Sequence, residues 1–392
     1  MCVLVAACPS VAGAQPLSQR GFVEGSVFAF PQPAPNDPTQ LVGDVLAREE
    51  LFAAPAPWLR LAAGIDARAN SHDQVEDAWS VDVTDRTVRR PRLSLRRASA
   101  TLTHGPFTLD AGKQFIRWGR ADVVTPTDRF APRDFLNVFD NEFLAVSGVH
   151  GTVESGAGAI EAVWTRFTPA RVPLADQRWT VLPPDTAVPP DALPRVYPER
   201  SQIALRFNHT GGAIDWSAAY FDGNNYLPNV DVTGLSFPPM RMAGGDAAVP
   251  TRWFTIKGEA AYFASSSPTT DEYVLYVVQI ERQHGEWVFV GGYAGEAVTD
   301  RRSTTPVNFA FDRGLTHAVI GRASYTIDVN RSFAIEAAVR AEGGYARVEY
   351  SRAYGQHWRA TIAGVGIAGD EGDFIGQYHR NSHATAALRY SF

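Results

Sequence analysis

Segments of about ten residues in which apolar and polar side chains alternate recur from one end of this chain to the other, and the connections between them alternate between tight turns and long polar loops. Successive side chains of a strand point to opposite faces, so each segment presents one apolar and one polar face. Residues 58–68 show the pattern: Leu59, Leu61, Ala63 and Ile65 share one side, with Arg60, Gly64, Asp66 and Arg68 on the other. No stretch approaches the roughly 20 apolar residues that a spanning helix needs, and hydrophobic residues make up 45% of the chain. In a bilayer such a chain can satisfy its backbone polar groups only as a closed barrel.

The carboxyl terminus sharpens this expectation. Ala384, Ala386, Leu388, Tyr390 and Phe392 share one apolar face, while His383, Thr385, Arg389 and Ser391 share the other. A terminal aromatic preceded at two-residue steps by apolar side chains resembles the signal read by the barrel-assembly machinery of outer membranes, which makes that machinery an expected partner through Phe392.

Residues 1–14 are apolar and small and end in Ala12-Gly13-Ala14 before Gln15, a small-x-small cleavage pattern, so they are expected to be an export signal whose basic start lies upstream of Met1. Val5-Ala6-Ala7-Cys8 also fits a lipoprotein cleavage box. Both cysteines, Cys2 and Cys8, fall within this segment. The expected barrel, residues 15–392, is therefore free of thiols, as suits assembly across an oxidising periplasm. A formal net charge of -6 argues against nucleic acid as a partner.

The alternation predicts strands over 21–30, 41–53, 58–68, 92–103, 107–118, 143–154, 159–168, 201–209, 213–222, 235–245, 251–264, 272–283, 286–298, 315–327, 331–342, 345–354, 357–368 and 378–392. The fold class is all-β: a single transmembrane antiparallel barrel of about 18 strands, within a range of roughly 14–18, with short periplasmic turns and both termini in the periplasm. The long loops, 69–91, 119–142, 169–199, 223–234 and 299–314, fall on the extracellular side. Propensity leaves a short helix open over 41–53, and an array of soluble sandwiches is the competing architecture. Trp58, Trp118, Trp164, Tyr220, Trp253, Tyr262, Trp287, Tyr293 and Trp358 lie near strand ends, where interfacial aromatic girdles belong.

One segment departs from this regularity. After Arg117 and Trp118 the chain runs through Arg120, Asp122, Pro126-Thr127-Asp128, Arg129, Phe130 and Pro132-Arg133-Asp134. Opposite charges are interleaved, proline fixes φ, and aspartate favours local turns. Punctuation this dense, with Phe130 and Phe135 as anchors, suggests a loop over 119–142 folded into the lumen and narrowing it through its own ion pairs; an ordered surface loop is the other reading. Its charged members, Arg117, Arg120, Asp122, Asp128, Arg129, Arg133 and Asp134, are the constriction candidates. Arg60, Asp66, Asp110, Gln114, Gln202 and Arg206 are the wall candidates.

Gly112-Lys113-Gln114 and Trp118-Gly119 ahead of this Asp/Pro-rich loop resemble a bacterial outer-membrane family of β-barrels related in appearance to alginate-export channels. Phe237-Pro238-Pro239-Met240-Arg241, Gly244-Gly245-Asp246, Trp253, Lys257-Gly258-Glu259 and Ala261-Tyr262 extend the likeness. The resemblance implies a porin-like barrel in the outer membrane.

Chemistry finds little foothold. His379, Asn381 and His383 are expected on the polar face of the last strand, where two histidines four apart lie roughly 13 Å from each other, too far to share a metal. Ser382 and His383 point to opposite faces and cannot form a nucleophile–base pair. Asp370-Glu371-Gly372-Asp373 is too short for a calcium loop and is expected as a solvated loop tip. No catalytic residue, metal or cofactor is expected, and the chain is not read as an enzyme. Arg86, Arg89, Arg90, Arg92, Arg96 and Arg97 gather at the expected outer mouth, where they would meet lipopolysaccharide phosphates, draw anions inward or pair within a solvated loop.

Two functions remain: a channel admitting or exporting small polar or charged solutes through an Asp/Arg filter, or a surface barrel that binds polysaccharide or protein without transport. Outer-membrane lipid and lipopolysaccharide surround either, and a small polar solute or oligosaccharide is the expected cargo of the first.

Overall fold

The chain closes on itself through its two end strands. In the structure, a computed structural model, Phe22 lies opposite Ser391 and the ladder continues to Ala29 opposite Ala384. The structure describes residues 15–72, 74–122, 124–173, 178–180, 193–231, 234–303 and 310–392. The expected export signal lies outside them.

The wall strands are β1 (Gln15–Ala29), β2 (Leu41–Ala56), β3 (Leu59–Asn70), β4 (Leu93–His104), β5 (Phe107–Gln114), β6 (Val146–Ser155), β7 (Gly158–Thr165), β8 (Gln202–His209) and β9 (Asp215–Asn224). They continue as β10 (Pro239–Pro250), β11 (Thr255–Ala264), β12 (Glu272–His284), β13 (Trp287–Asp300), β14 (Ala318–Asp328), β15 (Arg331–Val339), β16 (Gly343–Tyr354), β17 (Trp358–Gly369) and β18 (His383–Ser391). The sheet has 19 strands, one of them the two-residue Val81–Asp82, so eighteen build the wall. Each pairs antiparallel with its neighbours in sequence, which leaves no open edge to face lipid.

Alternation along each strand divides lipid from lumen. On β18, Leu388, Tyr390 and Phe392 are exposed outward while His383 is buried within. Outward aromatics gather near both rims: Trp58, Phe107, Trp358 and Tyr390 toward the short turns, Trp164, Tyr220, Tyr262 and Tyr293 toward the long loops. Trp118 is a correction to the expected girdle, being 2% exposed and inside the barrel. Residues 41–56 are strand, not helix. Val42 and Leu46 are buried on the lumen side while Leu41, Val45 and Leu51 meet lipid, and this two-sided environment overrides a weak helical preference.

Two further expectations are corrected near the end of the chain. β18 begins at His383, and residues Gly376–Asn381 instead form a 3-10 helix, so His379 and Asn381 are not on the strand. His379 hydrogen-bonds through Nδ1 to the Gly376 carbonyl at 3.0 Å, and Asn381 donates to the Arg178 carbonyl at 2.7 Å. Asp373 is no solvated tip. It is 4% exposed, pairs with Arg340 at 3.1 Å and accepts the Ile375 amide at 2.8 Å.

β5 is shorter than its alternation predicts, stopping at Gln114 rather than at Trp118. Its neighbour β6 starts at the same height, Gln114 facing Val146, so the 31-position stretch from 115 to 145 leaves the wall between directly paired residues. The rim edge of β4 above this point is covered by Val81–Asp82, which pairs parallel with Leu93 and Ser94. Gly112 makes the departure possible. Its φ is +118°, and a Cβ there would sit 2.1 Å from the Ala98 carbonyl oxygen. Gly112→Ala is expected to destabilise the barrel by about 1–3 kcal/mol, read as a lower urea midpoint for loss of heat-modifiable migration.

Candidate pore constriction

The described residues of 115–145 pack into the lumen, with Ile116, Trp118 and Phe130 against β6 to β12 and Val138 against Ala294, Ile320, Tyr345 and Val365 of β13 to β17. Ile116, Trp118 and Phe130 join wall residues Val146, Phe221, Met242 and Phe263 in one buried cluster. Phe130 stands edge-on to Trp118 and Phe221, with ring centroids 5.5 and 5.3 Å away. Half of the lumen here is therefore packed like a protein core rather than filled with water.

Charge ties the segment to the wall. Arg120 reaches Asp246 of β10 at 2.6 Å, and Asp246 also holds Arg206 of β8 at 2.9 Å. Asp122 accepts Lys257 of β11 at 2.9 Å, and its amide donates to Gln279 of β12 at 2.9 Å. Asp134 lies between Arg90 at 3.0 Å and Arg171 at 2.8 Å. Burial alone would raise the Asp134 carboxyl, but Arg90 and Arg171 outweigh it and hold the group far below the usual carboxylate range. At Asp128 the balance reverses. Burial pushes its carboxyl up against the pull of Arg117, which sits 2.6 Å away. Arg129 donates to Asn225 at 2.8 Å, meets Asp312 at 3.3 Å and lies 4.4 Å over Tyr226, whose phenol burial pushes up to about 12.

Arg133 donates to Asn141 at 2.8 Å and stacks over Phe143 at 4.2 Å. Among the wall candidates, Asp66 is buried in a bidentate pair with Arg48 at 2.7 and 2.8 Å. Asp110 accepts the Thr101 hydroxyl from the adjacent strand. Gln114 and Gln202 are buried, the first donating to the Asp110 and Gly148 carbonyls and the second to Thr165. Arg60 is exposed near the short-turn rim, away from the segment. The structure thus brings Arg117, Arg120, Asp122, Asp128, Arg129, Arg133, Asp134 and Arg206 onto or against the segment, joins Asp66 to its Glu142 through Arg48 and Arg68, and leaves Asp110, Gln114, Gln202 and Arg60 out of its ion pairs. Most of these charges hold the segment in place.

Part of the arginine cluster of 86–97 is engaged inside as well, while Arg92 pairs with the exposed Asp77 at 3.2 Å. Arg90 is buried on Asp134, Arg86 donates to the Phe167 carbonyl at 3.2 Å, and Arg96 lies 4.8 Å over Phe115.

Open space remains on the far side, against β12 to β18 and β1 to β3. One cavity of ≈ 410 Å³ runs from the long-loop end down this wall, lined among others by Phe28, Phe30, Arg68, Trp179, Arg359 and Arg389. A second, ≈ 630 Å³, lies toward the short-turn end and is lined by Glu281, Arg322, Ser324 and Glu336. Both are bordered by Asp140, Arg347 and Glu349. Asp140, on the inward segment, touches Arg347 of β16 at 3.5 Å, and Arg347 holds Glu349 at 2.8 Å. The inward segment and the open wall meet in a charged contact here. None of these three residues stood out in the sequence, because each is one more charge on an alternating strand or loop.

Among the described residues, eight carboxylates and eight arginines line the two cavities, so their charge is balanced in number and only the local pairing differs. Glu281 and Asp122 share Lys257, Glu24 is paired with Arg389, and Glu142 with Arg68. Among the described residues no carboxylate lies within pairing distance of Arg322 or Arg359, and Arg178 gives its guanidinium to the carbonyls of Thr39, Gln32 and Arg380. Among the described residues Asp44 and Glu336 are the lining carboxylates with no cation within pairing distance, Asp44 accepting Asn70 at 3.1 Å and Glu336, directly across from Arg322 on the next strand, accepting the Tyr345 hydroxyl at 2.7 Å.

Solved structures share this architecture. A BenF-like porin from Pseudomonas fluorescens Pf-5 superposes with a TM-score of 0.57 at 8% identity, covering 96% of this chain and 98% of that one. The chain has the fold of an outer-membrane porin. The outer membrane protein OpdK from Pseudomonas aeruginosa (TM-score 0.55, 9% identity, 96% and 98% covered) and OccAB4 from Acinetobacter baumannii (TM-score 0.55, 9% identity, 97% and 99% covered) are similar to the same extent. No protein-family model and no curated protein matches the chain. The expected likeness to alginate-export barrels is not shown. With its apolar outer band and two aromatic rims, this porin-fold barrel is a protein of the outer membrane.

Proposed function

We propose that this porin-fold barrel is a passive channel for small polar and charged solutes, with its bore set by residues 115–145. The observation that carries the reading is the pair of water-accessible cavities meeting at Asp140, Arg347 and Glu349 beside a segment packed into the other half of the lumen. A barrel of this size without an insert has a wide aqueous interior, so the insert decides what passes.

The cargo best matched to the wall is a compact carboxylate. Arg359 in the upper cavity and Arg322 in the lower offer guanidinium groups with no carboxylate within pairing distance among the described residues, and Phe28, Phe30 and Trp179 border the upper cavity with flat apolar faces. A planar guanidinium fork matches a carboxylate. One similar barrel, OpdK, has been solved with vanillate, itself a compact aromatic carboxylate.

Planar-bilayer recording tests both parts. Discrete single-channel steps with a reversal potential favouring anions are expected, together with faster liposome entry of benzoate-sized carboxylates than of neutral sugars of equal size. Absence of conductance from correctly closed barrels would overturn the channel reading in favour of a surface-binding barrel. Arg347→Glu places three carboxylates where the two cavities meet and is expected to move the reversal potential toward cation preference, since a ring of charged side chains sets the sign of a pore.

A further inference from the structure

The wall carries an arrangement that the barrel alone does not explain. Asp246 of β10 and Glu259 of β11 lie directly opposite each other on adjacent strands, both facing the lumen and only 5% and 3% exposed. Like charges in this relation repel, and burial of an ionised carboxylate without partners is costly. Among the described residues, no Lys, Arg or His lies within 4.0 Å of Glu259. All of its hydrogen-bond partners belong to the inward segment. One carboxylate oxygen accepts the amides of Arg120 at 3.1 Å and Ala121 at 3.3 Å; the other accepts the amide and the hydroxyl of Thr127, each at 2.8 Å.

The segment is shaped to this carboxylate. Gly119 has φ of +93°, and a Cβ there would stand 2.7 Å from both Glu259 oxygens, so only glycine allows the backbone to approach so closely. Beside it, Arg120 neutralises Asp246, and Asp122 is received by Lys257 and Gln279. Three adjacent strands thus present a polar template, and Glu259 is the member that reads backbone rather than side chains.

The geometry points to Glu259 as the positioning residue that docks the inward segment and so sets the bore; this rests on the channel reading above. It touches no solute and acts through the placement of residues 119–127, from which the chain continues to Arg133 and Asp140 at the open cavities. Glu259→Gln keeps the shape but replaces one accepting oxygen with a donor, so at least one backbone amide of the segment loses its acceptor and meets a second donor.

The test is single-channel recording of wild type, Glu259→Gln and Glu259→Asp barrels, each checked for closure by heat-modifiable migration, and of the same Gln substitution in a barrel whose residues 117–143 are replaced by a short Gly-Ser turn. Glu259→Gln is expected to raise conductance about two-fold and to replace one open level with fluctuating levels. Glu259→Asp, which keeps the charge but falls short by one methylene, is expected to show part of this effect. In the shortened barrel the Gln substitution is expected to change nothing. An unchanged conductance and a steady level in Glu259→Gln would overturn the docking role. An equal change in both backgrounds would overturn it too, since the effect would then be one of wall charge. If excision itself leaves conductance unaltered, the bore reading fails instead.

Discussion

Excision of residues 117–143, with a short Gly-Ser turn joining the ends, is expected to raise single-channel conductance roughly three-fold or more, because an 18-stranded barrel without an insert encloses a wide aqueous lumen. The geometry permits the deletion. Gln114 and Val146 are direct cross-strand partners at the ends of β5 and β6, so a tight turn can close the hairpin without moving either strand. Removal does expose Asp246, Glu259 and the apolar surface of Phe221, Met242 and Phe263 to water. A fall in thermal stability is therefore expected alongside the wider bore, and the shortened barrel should discriminate less between charged and neutral solutes, because salt in a wider aqueous lumen screens the wall charges. Conductance equal to wild type would show that the bore is set elsewhere.

Asp134→Ala should have the largest effect of any single substitution. Its carboxylate is buried between Arg90 of the 71–92 loop and Arg171 of the loop after β7, and it also accepts the Leu136 amide at 3.0 Å. Removing one partner of a buried ion network strands the others, at a cost of about 3–5 kcal/mol. Three loops meet at this side chain, so a lower thermal midpoint and increased protease cleavage within all three are expected. Its pH dependence has a definite sign. The folded-state carboxyl is held below its ordinary value, chiefly by Arg90 and Arg171 against the opposing pull of burial, so its stabilisation is fully present above the ordinary aspartate range and is lost only as pH falls through the depressed value. Across mildly acidic to neutral pH the wild-type midpoint should hold its Asp134 contribution, and the difference between wild type and Asp134→Ala should shrink only in strong acid. A variant as stable as wild type at neutral pH would contradict the role.

Period-two alternation was enough to read eighteen strands, their lipid and lumen faces and the closing role of Phe392. That division is imposed locally: each strand crosses the same boundary between hydrocarbon and water, so each must carry the same code. Errors arose where the code continued but the environment changed. Phe115, Ile116, Arg117 and Trp118 still alternate, yet beyond Gly112 the chain turns inward and Trp118 finds Phe130 instead of lipid. The Asp/Arg density and prolines of 119–142 were legible as a segment with something to hold. What they hold was not. Glu259 looks like any lumen-facing acid until residues 119–127, more than a hundred positions away, bring four donors to it. Arg347 and Asp140 meet between the two cavities only because segment and wall approach from opposite sides. Which charges are spent on docking and which remain free for a solute depends on long-range pairing, and such pairing leaves no periodic mark on the sequence. The sequence by itself determined the barrel; the path through it was decided only when the tertiary structure matched each charge to a partner or left it without one.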